Sequence, residues 1–245
     1  MDFKDTYSKI AEMLGLNREK DMEAANVLDG LIEESDLSQL NKLIKNKNVI
    51  VFGCGPSLKK DILNIKAKKI HQKCTLIAAD GSIKALLEED IIPQINVTDL
   101  DGDVESIISA NESGTITLVH AHSDNIDLMI EIVPKLKKVI GTTQVKPLGK
   151  LHNFGGFTDG DRCVFLADHF KAGLIILAGM DFGASIGKYS GKYKKEFKLK
   201  KLEIGKKLIE EFARVSDTTV INVTSAGENI KNVPRISIKD LDVIA

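Results

Sequence analysis

The run TLIAADGSIKALLEEDIIPQINVTDLDGD, Thr75 to Asp103, closes one apolar stretch on Asp80 and the next on Asp99 and Asp101. Carboxylates collected without intervening bases repel one another, so such a set calls for a divalent cation and, through it, a phosphorylated substrate. Asp99 and Asp101 are two residues apart, a spacing that turns both side chains to one side of an extended segment, where they can share one hard cation. A single Asp after a strand is also a common helix N-cap, and Asp80 before Gly81-Ser82 fits that plainer role. The chemistry expected is metal-assisted phosphate chemistry.

Three further constellations bear on it. GCGPS, Gly53 to Ser57, offers backbone N–H groups and the Ser57 hydroxyl to a phosphate, although no GK[ST] follows and a glycine-rich turn with a capping serine reads the same way. HAHSDN, His120 to Asn125, resembles the HxHxDH metal motif of metallo-β-lactamase-like hydrolases, with Asn125 where that motif needs its last histidine. In the other reading Asp124 joins the carboxylates and one histidine binds phosphate or backbone. GGFTDGDR, Gly155 to Arg162, sets a flexible glycine pair before Thr158, Asp159 and Asp161. Its acids would cap a helix, Arg162 would pair with phosphate or with those acids, and Phe154 and Phe157 would either stack on a planar heterocycle or pack in the core.

The elements that must position these groups follow from periodicity. Residues 1–45 carry helical spacing, with Ile10, Met13 and Leu14 on one face and Val27, Leu28, Leu31 and Ile32 on a later one. From Asn48 short apolar runs alternate with helical segments: NVIVF, TLIAA, INVT, TITLVH, KVIG, LIILAG and TTVINV. That pattern predicts right-handed βαβ units and a mostly parallel sheet flanked by helices, an α/β domain over 46–245 behind an N-terminal helical segment over 1–45. Ligands of such sheets bind beyond the carboxyl ends of the strands, where every motif above falls. Lys188 to Lys207, with nine lysines against Glu196 and Glu203, reads as a solvated helix face or as a mobile lid that neutralises a triphosphate.

At 245 residues and a net charge of −1, the chain has no global attraction for nucleic acid or an anionic membrane, so an anionic substrate must be held locally. Cys54, Cys74 and Cys163 form neither a disulfide framework nor a CxxC knuckle. No apolar run approaches the ~20 residues of a membrane span, and MDFKDTYSKIAEM lacks the order of a signal peptide. A cytoplasmic location is expected, and homo-oligomerisation only as the common state of soluble enzymes.

ADGS and IPQINVTDLDGD look like the ADGG and GDxDS signatures of thiamine pyrophosphokinases. The joint order of GCGPSL, AADGS, TDLDGD, HAHSDN, GTTQVKP and NFGGFTDGDR, across roughly Asn48 to Asp181, more closely resembles the archaeal 6-hydroxymethyl-7,8-dihydropterin pyrophosphokinases, the MptE-like group of the DUF115 family. The resemblance implies a thiamine-pyrophosphokinase-like α/β fold, a Mg2+ requirement, and transfer of diphosphate from ATP to a reduced hydroxymethylpterin with release of AMP. By position it implies that Asp80, Asp99, Asp101 and Asp124 hold magnesium and that Gly53, Gly55 and Ser57 form the phosphate loop. Asp80 and Arg162 are further candidates for ATP. Thr142, Thr143, Asn153, Phe154, Phe157 and Asp159 are candidates for the pterin, and Asp101 or Asp124 for taking the hydroxyl proton. Thiamine pyrophosphokinases append a β-rich domain where this chain is lysine-rich and helical, which counts against thiamine as acceptor. DUF115 also holds proteins linked to flagellar glycosylation, so a nucleotide-sugar glycosyltransferase is one rival, and a metal-dependent hydrolase built on HAHSD is another.

Overall fold

All seven apolar runs form strands: β1 (Asn48–Phe52), β2 (Thr75–Ala79), β3 (Ile95–Thr98), β4 (Ile116–Ala121), β5 (Val139–Thr143), β6 (Leu174–Ala178) and β7 (Val220–Asn222). This computed structural model describes residues 3–191 and 194–241. The strands make one all-parallel sheet in the order β5-β4-β3-β2-β1-β6-β7. The chain builds outward from β1 to β5, crosses back, and adds β6 and β7 on the other side of β1. The β1/β6 junction is therefore the point where the winding reverses, and a crevice opens there above the strand ends.

Side chains alternate across this sheet with period two. Ile50, Phe52, Leu76, Ala78 and Val119 belong to one apolar cluster, whereas Val49, Val51, Ile77, Ala79 and Leu118 belong to the other. The first cluster is covered by α1 (Phe3–Leu14), α2 (Arg18–Leu31), α4 (Leu58–Ala67), α5 (Ser82–Leu87), α6 (Val104–Glu112) and α7 (Ile126–Ile132). The second is covered by α3 (Ser38–Ile44), α8 (Asp159–His169) and α9 (Lys195–Val215). Residues 3–44 thus supply three helices: Tyr7, Ile10, Ala24 and Leu28 pack in the same core as β4, and Leu40 and Ile44 pack under β1. None of the helices among the described residues is long and apolar enough to cross a membrane.

Two placements matter for the site. Ala79 pairs with Val97, so the chain leaves β2 and β3 side by side and their terminal aspartates emerge as neighbours. The segment after β6 then runs back across the ends of β1 and β2. A Cβ on Gly187 would lie 2.0 Å from the Cys54 carbonyl oxygen, and one on Gly81 would lie 2.0 Å from that of Tyr189. The lysine-rich stretch is seated over the strand ends and continues into α9; Lys192 and Tyr193 within it lie outside the described residues.

Candidate active site

Asp80 leaves β2 with φ +42°, a left-handed conformation that Asp tolerates better than most residues. Its N–H donates to the Val97 carbonyl at 2.7 Å and its Oδ1 accepts from the Thr98 hydroxyl at 2.7 Å, which fixes the carboxylate to the next strand. Leu100 also has a positive φ, +69°, and bends the chain so that Asp101 N–H reaches Asp99 Oδ1 at 3.3 Å. A Cβ on Gly102 would stand 2.7 Å from Asp80 Oδ2, so the glycine is what lets the TDLDG turn close over Asp80. One oxygen from each of Asp80, Asp99 and Asp101 lies within 4.8 Å of the others.

The charges register that crowding. Burial, and then the charges of Asp99, Asp159 and Asp101, push Asp80 well above the ordinary carboxylate value. Asp101, at the solvent-facing rim, is raised by loss of hydration in the cleft and by Asp99. Asp159, on the first turn of α8, is pushed up to about 7 by burial and by Asp99. Asp99 moves the other way: burial would raise it, but the hydrogen bond from His122, with the charges of Lys201 and Arg162, holds it below the ordinary value. Lys198 of α9, which burial alone would lower, is raised by Asp101 and Asp159. Three convergent carboxylates with no thiolate or imidazole among them form an all-oxygen, hard donor set, which fits Mg2+ and not a soft metal.

Several expected site residues are placed otherwise. Asp124 is outside the close carboxylate set; it is exposed, because Asn125 staples its loop elsewhere. The Asn125 amide donates to the carbonyls of Asp99 and His120, each at 2.7 Å, and its Oδ1 accepts from His122 N–H at 3.1 Å. Neither histidine ligates with the aspartates among the described residues. The Thr142 hydroxyl, given to the Val119 carbonyl at 3.1 Å, accepts from His120 Nδ1 at 3.0 Å, and burial holds His120 neutral. His122 bonds to Asp99 Oδ2 at 3.1 Å. A hydrolase centre on HAHSD is therefore not assembled.

The phosphate cradle expected of Gly53, Gly55 and Ser57 is not formed either. Their N–H groups are spent on Ala178 O at 2.9 Å, Gly179 O at 2.8 Å and Asp181 Oδ2 at 3.2 Å. The Ser57 hydroxyl lies between Asp181 Oδ2 at 2.7 Å and Asp61 Oδ2 at 2.8 Å. The two glycines admit the β6 loop: a Cβ on Gly55 would fall 2.1 Å from Asp181 Oδ2. Thr143 Oγ1 accepts from Val145 N–H at 3.3 Å, the Asn153 amide donates to the Val145 carbonyl at 3.2 Å, and Phe154 packs among His152, His169 and Phe170. Thr142, Thr143 and Phe154 line a separate small cavity of about 260 Å3. In GGFTDGDR the acids divide the work. Asp161 completes a capping box with Thr158, and Asp159 faces the carboxylate set and pairs with Arg162 at 3.3 Å.

Two cavities meet at the aspartates. The first, about 790 Å3, opens at the β1/β6 reversal between the Gly53–Gly55 turn, Asp80, Asp159, Asp181 and Lys198. The second, about 410 Å3, lies over β3 and β4, between Asp124, Phe157, Arg162 and Phe197. Asp99 and Lys201 line both. Lys198 and Lys201 were visible in the sequence only as members of a lysine run. Their i,i+3 spacing on a helix, which puts both on one face, is the signal that singles them out.

A family model described as 6-hydroxymethylpterin diphosphokinase MptE-like matches residues 24–187. A "6-hydroxymethyl-7,8-dihydropterin pyrophosphokinase" of Methanocaldococcus jannaschii is 47% identical over 228 residues, covering 85% of this chain and 95% of that protein. Among solved structures, a MAf glycosyltransferase from Magnetospirillum magneticum AMB-1 superposes with TM-score 0.56 at 15% identity, over 89% of this chain; the chain spans only 38% of that larger protein. That likeness is one of fold. A thiamine pyrophosphokinase from Bacillus subtilis aligns with TM-score 0.34 at 17% identity, over 71% of this chain and 58% of its own. With the family model spanning more than half of its length and the M. jannaschii relative aligned nearly end to end, this chain belongs to the MptE-like 6-hydroxymethylpterin diphosphokinase family.

Proposed function

We propose that this chain transfers diphosphate from ATP to 6-hydroxymethyl-7,8-dihydropterin in a Mg2+-dependent reaction that yields the pterin diphosphate and AMP, a step toward a methanopterin-type cofactor. The observation that carries this reading is the meeting of Asp80, Asp99 and Asp101 within 4.8 Å, with Asp99 on the wall shared by two cavities. A cation bound there would neutralise the phosphate oxygens as charge moves through the β-phosphorus. The chain's own contribution is positional and electrostatic. Lys198 and Lys201 face the first cavity from one side of α9, and among the described residues neither is paired with a carboxylate within 4 Å. Both therefore remain available to a triphosphate. In the transfer the hydroxymethyl oxygen bonds to the β-phosphorus, the bond from that phosphorus to the α–β bridging oxygen breaks, and AMP departs with its electron pair. The hydroxyl proton would pass to a carboxylate outside the metal-holding set; the candidate is Asp124, an exposed residue that lines the second cavity.

The test is incubation with ATP, Mg2+ and the reduced pterin, followed by mass detection of the pterin diphosphate and chromatography of AMP. Both products should appear together, vanish with chelator, return on adding Mg2+, and be lost in the double variant Asp99→Asn, Asp101→Asn. Nucleotide binding without AMP would favour a glycosyltransferase-like enzyme. Stoichiometric zinc or iron in the purified protein would favour a hydrolase.

A further inference from the structure

Resting on that reading, we infer that the second cavity is the subsite for the acceptor heterocycle, and that the N-terminal helices complete it through Leu16 and Asp21. The cavity shares Asp99 and Lys201 with the nucleotide crevice, so a ring seated in it brings its hydroxymethyl arm to the carboxylates from the side opposite the ATP phosphates. In-line displacement needs that approach.

Its walls suit a flat, amide-edged bicycle. Phe157 is buried on one side, whereas Phe197 on α9 is 39% exposed, an apolar ring for which the fold supplies little cover. Asp21, 1% exposed, is held by the Tyr7 hydroxyl, by Gln144 Nε2 at 3.1 Å and by the backbone N–H of Ser123 at 2.9 Å. Three donors leave one of roughly four carboxylate lone-pair positions for an amino or ring N–H group. Arg162, 7% exposed, gives one terminal nitrogen to Gln144 at 3.0 Å and another to Asp159, while its Nε–H has no partner. An unpaired buried donor is costly, and a heterocycle carbonyl or ring nitrogen would satisfy it. Asp21, Arg162, Phe157 and Phe197 all line this cavity, a set that offers a ring an acceptor, a donor and two aromatic side chains; Arg162 also lines the small cavity beside Thr142.

The same bonds explain what the helical segment contributes. Asp21 ties α2 to the loop after β4 through Ser123 and to the loop after β5 through Gln144. Leu16, in the turn between α1 and α2, closes the cavity from that side.

The experiment is fluorescence titration with oxidised 6-hydroxymethylpterin, beside titration with a non-hydrolysable ATP analogue and Mg2+. It compares the unaltered protein with Phe197→Ala, Leu16→Trp and Ser185→Trp, the last on the wall of the first cavity. Phe197→Ala should weaken pterin binding about fivefold to tenfold through lost stacking. Leu16→Trp should weaken it more than about tenfold by filling the space. Both should leave the ATP analogue within about twofold. Ser185→Trp should show the reverse pattern. Pterin affinity untouched by both Phe197→Ala and Leu16→Trp, or displaced instead by Ser185→Trp, would overturn the assignment. Because binding is read without turnover, failure to form AMP would count against diphosphate transfer while leaving the subsite decided.

Discussion

The imidazole of His122 donates Nε2–H to Asp99 Oδ2 at 3.1 Å, because its Nδ1 accepts the backbone N–H of Asp124 at 3.2 Å. Both ring nitrogens are therefore committed, one to hold the ring and one to orient a carboxylate of the aspartate set. The histidine that reads as a metal ligand in the sequence is instead the group that keeps Asp99 ionised among three other acids.

Removing that support should weaken metal binding rather than abolish it. Groups that orient metal-holding carboxylates typically contribute about 10–100-fold in affinity or activity. His122→Ala should raise the Mg2+ concentration for half-maximal AMP formation by about tenfold or more, measured by magnesium titration at saturating substrates. An unchanged titration would show that Asp99 needs no partner.

Asp80 illustrates a conflict between stability and function. Its carboxylate is buried beside Asp99, Asp101 and Asp159, so in metal-free protein its charge is unfavourable. Asn keeps the acceptor for the Thr98 hydroxyl and tolerates the φ of +42°. Asp80→Asn should abolish turnover yet raise the melting midpoint of metal-free protein by a few degrees, the response to about 1 kcal/mol in a chain of this size. Calorimetry with chelator present checks it.

The same acids set a pH dependence. Asp159 has its pKa raised from 3.8 to about 7, and Asp80 is also raised well above the ordinary carboxylate value, so the metal-free folded state holds protons that the unfolded state has released. The Asp159 contribution to stability is fully present below about pH 4 and is lost as pH rises through about 7, and that of Asp80 falls in the same direction. A cation must displace those protons at low pH but not at high pH. The increase in melting midpoint on adding Mg2+ should therefore be greater at pH 8 than at pH 6. Taking the difference with and without Mg2+ at each pH removes the opposite contribution of His152 and His169, which burial holds below their ordinary values. An equal or smaller shift at pH 8 would contradict the carboxylate assignment.

Two glycines should respond with opposite signs. A Cβ at Gly55 would lie 2.1 Å from Asp181 Oδ2 and 2.6 Å from the Gly179 carbonyl, neither free to retreat. Gly55→Ala should cost about 2–3 kcal/mol. Gly30, in the last turn of α2, has nothing within 4 Å of its Cβ position. Gly30→Ala should stabilise by about 0.5–1 kcal/mol through helix propensity. Denaturant unfolding measures both.

The seven strands, and Asp80, Asp99 and Asp101 at the ends of two of them, are legible in the amino-acid sequence. Short apolar runs of period two, each ending in a turn, are local signals, and adjacent strands that end in aspartate bring those acids together whatever the rest of the chain does. The helical spacing in residues 1–45 was equally legible; the service of Asp21 to a cavity lined by α8 and α9 was not, since its partners are 102 and 123 residues away. Tertiary structure alone decided which acids belong to the cluster. Asn125 turns Asp124 out to solvent, while the start of α8 carries Asp159 in. It also decided that the amides of Gly53, Gly55 and Ser57 bond to the end of β6 and the loop after it, and that two lysines of a surface-like run face the cavity that Asp80 and Asp99 line. These outcomes depend on how loops and a helix distant in sequence cross the strand ends. Local pattern cannot encode that placement, because it is fixed by packing and by hydrogen bonds between remote segments.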